Sequence, residues 1–292
     1  MTEGFAEAPD GTRLWWDSLG EGPAVVLCDG IACDGFIWKY LRPALARRYR
    51  VIHWNYRGHG RSGAPRDPAR VSIADHARDL VSVLDHLSLD RAALIGHSMG
   101  TQVCLDAWRQ RPSRVSALVL ACGSFGRITR TFHGSDVLHH ALPRLALLVD
   151  RYPDLVRAVL TRSPVGLSVA ASRWLGEVDA LRARAEDLAP YFEHMRLLDP
   201  AMFLRMLAAA GAHSAEDLLP DIDCPTLVVA AELDSFTPTR WAEQMARQIP
   251  NAELLRVEGG SHAAPIEQPA LINDRVLRFL SERVYPDAEA SG

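Results

Sequence analysis

Gly96-His97-Ser98-Met99-Gly100 lies between an apolar run at residues 92–95 (AALI) and a helical stretch at 101–110. A G-x-S-x-G pentapeptide between a strand and a helix makes a sharp turn with the serine at its tip. The residues two before and two after the serine must be small for that turn to close, and Gly96 and Gly100 meet the need. The helix that opens there favours negative charge developing near its N-terminus. A serine hydroxyl is a weak nucleophile at neutral pH, so it needs a base, and the base needs an orienting acid. The chain order expected for this turn is serine, acid, histidine. Asp234 follows the run at 226–230 and His262 follows the run at 253–257. Both therefore fall at the carboxyl ends of predicted strands, the edge where open α/β sheets build their sites. Glu232 is the rival acid, Asp223 lies at the wrong end of its strand, and Cys104 is inside the helix. His97, His53 and His59 are read as structural.

These positions demand a particular scaffold. Short apolar runs at 24–28, 51–55, 92–95, 115–121, 226–230 and 253–257 alternate with helical periodicity at 37–48, 72–87, 101–110, 239–248 and 269–284. That alternation predicts a parallel sheet covered by helices on both faces. Asp10-Gly11 ahead of residues 12–18 predicts an opening β-hairpin. Ser72 and Asp75 have the spacing to cap a helix whose stripe is Ile73, Ala77, Leu80, Val81, Leu84 and Leu87. Pro269 suits a first helical turn. From 125 to 220 only helical stretches are visible, at 137–149, 154–160, 168–181, 188–198 and 201–210. The expected organisation is a core of residues 1–124 and 221–292 with an all-helical cap at 125–220. The polar tail 287–292 is expected to fray.

The 292 residues are 48% hydrophobic and 23% charged, ordinary globular proportions that exclude disorder and fibrous classes. The formal charge of −4 argues against a nucleic-acid partner. Lys39 is the only lysine, a bias read as genomic coding preference. No apolar run reaches about 18 residues, so no membrane span is expected. The first residues carry no basic, apolar leader. Five cysteines, an odd number without C-x-x-C or zinc spacing, point to a reduced cytoplasmic setting and buried thiols. No metal and no cofactor are called for. His133, His139 and His140 at the start of the cap lack further ligands.

From Gly11 to about Val284 the chain resembles the α/β-hydrolase fold superfamily in its cap-bearing branch. The segments carrying the resemblance are DGTRLWWDSLGEGPAVVL, NYRGHGRSG, LIGHSMG, PTLVVAAELD and VEGGSHAAPIEQP. It implies a mostly parallel eight-stranded sheet, with Ser98 as nucleophile, His262 as general base and Asp234 as its orienter. It also implies an oxyanion hole of two backbone N–H groups, those of Met99 and Ile31. The chain departs from the family at Asp29, where histidine is usual, and at Asn55, where aspartate is usual. Asp29 places a carboxylate near the expected site; Asn55 is expected to serve loop structure.

An apolar pocket is expected from Trp38 and Phe125 with Met202 and Met206 of the later cap, whose methionines adapt to irregular ligands. Together with Asp29 these form the candidate substrate pocket. The function these residues imply is a cofactor-independent serine hydrolase. Its partner is a small-molecule, mainly apolar acyl substrate: an ester, a lactone or a similar acyl compound. Carbon–carbon bond hydrolysis and acyl transfer use the same three residues. A non-catalytic binding protein on this scaffold is the rival from another class. Relatives with dehalogenase or epoxide hydrolase activity carry aspartate where Ser98 stands.

Overall fold

The computed structural model describes residues 1–130, 134–162, 164–174, 178–179 and 182–286. His133 and the tail 287–292 lie outside the described residues. Eight strands form one sheet: β1 (Thr2–Glu7), β2 (Arg13–Leu19), β3 (Ala24–Cys28), β4 (Arg50–Trp54), β5 (Ala92–His97), β6 (Val115–Ala121), β7 (Thr226–Ala231) and β8 (Ala252–Val257). Their spatial order is β1-β2-β4-β3-β5-β6-β7-β8. β1 and β2 form the opening hairpin, and β2 runs antiparallel to β4. Every later pairing is parallel. The central strands β3, β5 and β7 are buried along their whole length, as unbroken apolar runs in parallel sheets must be.

Core helices cover the two faces. They are α1 (Leu41–Leu45), α2 (Ile73–His86), α3 (Met99–Gln110), α9 (Thr239–Gln248), α10 (Ala264–Glu267) and α11 (Pro269–Phe279). The expected helix at 37–48 is instead a single 3-10 turn, Phe36–Trp38, followed by the short α1. The Ser72 hydroxyl accepts from the Asp75 N–H, and the Asp75 carboxylate accepts from the Ser72 N–H. That reciprocal cap starts α2 and contributes about 1 kcal/mol. Ile73, Ala77, Leu80 and Leu84 of its stripe are buried against the sheet.

Between β6 and β7 the described residues form helices and no named strand: α4 (Val137–Arg151), α5 (Pro153–Arg162), α6 (Val165–Trp174), α7 (Ala185–Leu197) and α8 (Pro200–Ala212). Two of them dock on the sheet domain. Lys39 Nζ and Tyr40 Oη both donate to the buried Asp187 carboxylate in the first turn of α7. Gln102 Nε2 of α3 donates to the Ala210 carbonyl of α8. Met202 and Met206 of α8 join Phe125 in the core on the α2–α3 face. Among the described residues, no helix is long and apolar enough to cross a membrane.

Candidate active site

Ser98 stands between β5 and α3, capping the helix with φ +55° and ψ −119°. A side-chain-bearing residue holds this left-handed φ only where its surroundings enforce it. The enforcement comes from β3 and α3. A Cβ on Gly100 would stand 2.1 Å from the Cys28 carbonyl oxygen, and one on Gly96 would stand 2.4 Å from that of Gly100. Only glycine lets the helix approach the sheet so closely. The Met99 N–H is the first of α3 and has no acceptor within the helix.

Asp234 lies just past β7, and its carboxylate is held from four directions. Oδ1 accepts from the N–H groups of Phe236 (2.9 Å) and Thr237 (2.8 Å). Oδ2 accepts from Thr237 Oγ1 (2.8 Å) and from His262 Nδ1 (2.9 Å). A carboxylate only accepts, so Nδ1 of His262 carries the proton and Nε2 presents a lone pair. The His262 loop is fixed from below by Glu267, which accepts from the Ser261 hydroxyl and N–H. Glu232 instead accepts from the Gly259 N–H and has no bond to His262 among the described residues.

Ser98 and His262 line one cavity of about 120 Å³ together with Gly30, Ile31 and His97. Phe36 and Phe236 extend its wall, and the Phe236 ring lies 4.8 Å from that of His262. The opposite wall comes from the inserted segment, through Ser172, Val178, Leu188, Tyr191 and Phe192. Aromatic rings link the two sides, with Phe36 and Tyr191 centroids 5.2 Å apart.

His97 is buried beside this cavity. Its Nε2 donates to the His262 carbonyl at 2.9 Å, and its ring lies 4.9 Å from the His262 ring. Burial, reinforced by the neighbouring His262, lowers its pKa to about 4, so it stays neutral near pH 7. Cys33 also lines the cavity, and burial pushes its thiol well above the usual range, with Asp29 adding to the shift. All five cysteines are buried and unpaired. Among the described residues no group of three or more His, Cys, Asp or Glu side chains is placed to hold a metal.

The expected pocket residues stand elsewhere. Asp29 is turned into the protein. Its Oδ1 accepts from Trp38 Nε1 (2.6 Å), and its Oδ2 accepts from the Gly35 N–H (2.9 Å) and pairs with His53 Nε2 (2.8 Å). Burial alone would lower the His53 pKa, but the Asp29 carboxylate raises it. Asp29 thus pins the loop after β3 and does not itself line the cavity. Trp38 lies behind His97, edge to face at 6.2 Å. Phe125 packs edge-on against Trp241. Met202 covers Gly58, and Met206 is fully buried on the inner side of α8. Helical periodicity marks these residues as apolar but does not say which neighbour they face. The aromatic wall residues Tyr191, Phe192 and Phe36 carry no sequence signal of their role; Phe236, two residues past Asp234, is the one that proximity to a motif could have flagged. Asn55 serves the loop as expected, donating to Asp34 and accepting from the Arg61 N–H.

A family model described as alpha/beta hydrolase fold matches residues 23–269, and the chain belongs to that family. A putative carbamate hydrolase, RutD, of Variovorax paradoxus is 32% identical, over 92% of this chain and 96% of its own. Polyketide synthase ThaQ of Burkholderia thailandensis is 33% identical over the whole of this chain, which spans only 13% of that protein. A solved structure described as Est816, an N-acyl homoserine lactone degrading enzyme, is 27% identical with a TM-score of 0.74, covering 94% of this chain and all of its own.

Proposed function

We propose that the protein is a serine hydrolase that cleaves a carboxylic ester, a lactone or a similar acyl bond through an acyl-enzyme. Ser98 attacks the carbonyl carbon while His262 Nε2 takes its proton. The backbone N–H groups of Met99 and Ile31 hold the oxyanion. The leaving alcohol departs with the proton from His262, and water activated by the same ring then opens the acyl-enzyme. Asp234 keeps the imidazole in the required tautomer and stabilises its charged form. The observation that carries this reading is the His262 Nδ1–Asp234 bond of 2.9 Å beside a cavity that Ser98 also lines.

The substrate class follows from the cavity. Its lining is mostly apolar, and its volume of about 120 Å³ is close to that of an engineered cavity of about 150 Å³ that accommodates benzene. A short acyl chain or one small ring fits. Hydrolysis of an acyl compound is also what the names of two relatives describe, a putative carbamate hydrolase and an N-acyl homoserine lactone degrading enzyme. The inserted helices serve as a cap, since α7 supplies one wall of the cavity.

The test is turnover of p-nitrophenyl esters of increasing chain length by the wild type and by Ser98→Ala. The expected result is an optimum at short acyl chains and a loss of about 10⁴- to 10⁶-fold in the variant. Full activity in Ser98→Ala would overturn the mechanism. Wild type that is labelled at Ser98 by a fluorophosphonate but turns over no ester would move the substrate to a lactone, a carbon–carbon bond or acyl transfer. Absence of labelling would favour a binding protein.

A further inference from the structure

The loop after β3 carries Ile31, and the residue that follows it has an unusual backbone. Ala32 has φ +59°, a left-handed conformation that costs an alanine about 1–2 kcal/mol. Two histidines grip it from opposite sides. The Ala32 N–H donates to His59 Nε2 at 3.2 Å, and the Ala32 carbonyl accepts from His194 Nδ1 at 3.0 Å. The remaining ring nitrogens are also engaged. His59 Nδ1 donates to the Arg57 carbonyl at 3.4 Å, and His194 Nε2 accepts from the Gly60 N–H at 3.0 Å. Each ring therefore donates once and accepts once, which fixes both tautomers as neutral. Both side chains are buried, with ring centroids 5.8 Å apart.

His59 belongs to the loop after β4, but His194 belongs to α7, the helix whose Leu188, Tyr191 and Phe192 wall the cavity. We propose that His194 is a positioning residue which, with His59, holds the Ala32 backbone in its left-handed form and so aims the Ile31 N–H at the oxyanion. The inference rests on the serine hydrolase reading. It adds that α7 does more than cover the substrate. Seating this helix against the acyl group and aligning the second oxyanion donor are one event, because the same helix carries both contacts.

The experiment compares wild type, His194→Ala, His194→Asn and His194→Gln on a short p-nitrophenyl ester, with circular dichroism and thermal melting as folding controls. Asparagine keeps an N–H near the Nδ1 position, whereas glutamine places it near Nε2. Removing an oxyanion donor outright costs about 10²- to 10³-fold in kcat, so misaiming one is expected to cost about 10- to 100-fold. His194→Ala should show that fall with KM within about threefold. Affinity for a trifluoromethyl ketone, whose carbonyl becomes an oxyanion when Ser98 adds to it, should fall in parallel. His194→Asn should recover activity and His194→Gln should not. Wild-type kcat in a folded His194→Ala, or a loss confined to KM, would overturn the proposal. If the alanine variant does not fold, equal activity of the asparagine and glutamine variants overturns it. Failure of a fluorophosphonate to label wild-type Ser98 would instead sink the serine hydrolase reading itself.

Discussion

The sheet edge and the helical insertion solve different problems with different packing. At the sheet edge, Ser98, Asp234 and His262 follow β5, β7 and β8, whose backbones are fixed by parallel ladders, and β5 and β7 are buried along their whole length. In the insertion, α7 and α8 dock on the sheet domain, while the outer helices expose large apolar residues such as Leu147, Leu148, Leu155 and Val159. The proposed chemistry, which tolerates errors of only a few tenths of an ångström, sits where the ladder fixes the backbone. The wall residues proposed to contact the substrate's body sit where side chains can change without disturbing the ladder. His194 crosses this division, since it lies on an insertion helix yet bonds to the loop that carries Ile31.

After Ser98→Ala, the largest effect expected of that division is at Asp234. Asp234→Asn leaves the fold intact but permits the wrong imidazole tautomer, so kcat should fall about 10⁴-fold in a steady-state ester assay. A loss below tenfold would mean that the sheet edge does not control the tautomer. Next is the glycine at the elbow. Gly100→Ala drives a Cβ into the Cys28 and Asp29 carbonyls, both backbone atoms that cannot give way. Urea unfolding should show a loss of at least about 3 kcal/mol.

A smaller effect concerns acid. Burial keeps His59 and His97 neutral, with pKa values lowered to about 4, and His76 to about 3. Their unfolded counterparts titrate near 6.5, so the unfolded chain binds more protons below that pH. Stability is therefore fully present above about pH 6.5 and declines as pH falls toward 4 and 3. Each imidazole contributes about 1–2 kcal/mol of that decline by pH 5. His76→Leu should flatten the pH dependence of the melting temperature; an unchanged slope would remove His76 from this account.

Smaller still are changes in the insertion. Tyr191→Ala enlarges the cavity wall and should shift the ester chain-length preference toward longer acyl groups by about tenfold in relative kcat/KM, with kcat on the best substrate nearly kept. Gly166→Ala is the counterpart of the elbow variant. A Cβ there meets nothing within 4 Å, and the position lies in α6, so stability should change by about 1 kcal/mol or less, in the stabilising direction. If Gly166→Ala destabilised the protein as much as Gly100→Ala, the contrast between the two regions would collapse.

Much of the sheet was legible because its information is local. Unbroken apolar runs announced β3, β5, β6 and β7, and a capping box announced α2, because strand burial and helix capping depend on residues a few positions apart. Ser98, Asp234 and His262 were legible for a related reason, since each follows a predicted strand at the same edge of the sheet. The pocket was not legible. Met202, Met206, Phe125 and Trp38 were apolar candidates that turned out to pack the core, and Asp29 turned away to bind Trp38, Gly35 and His53.

Sequence by itself determined the alternation of strands and helices, the serine turn, and the order of the three polar residues along the chain. Those features follow from backbone sterics and hydrophobic period, which act over a few residues. Tertiary structure alone decided that α7, rather than the methionines of α8, walls the cavity, that Asp29 faces inward, and that His194 meets Ala32 across 162 residues of chain. Such pairings depend on how whole helices dock, and docking is set by the summed fit of many side chains that no short stretch of sequence encodes.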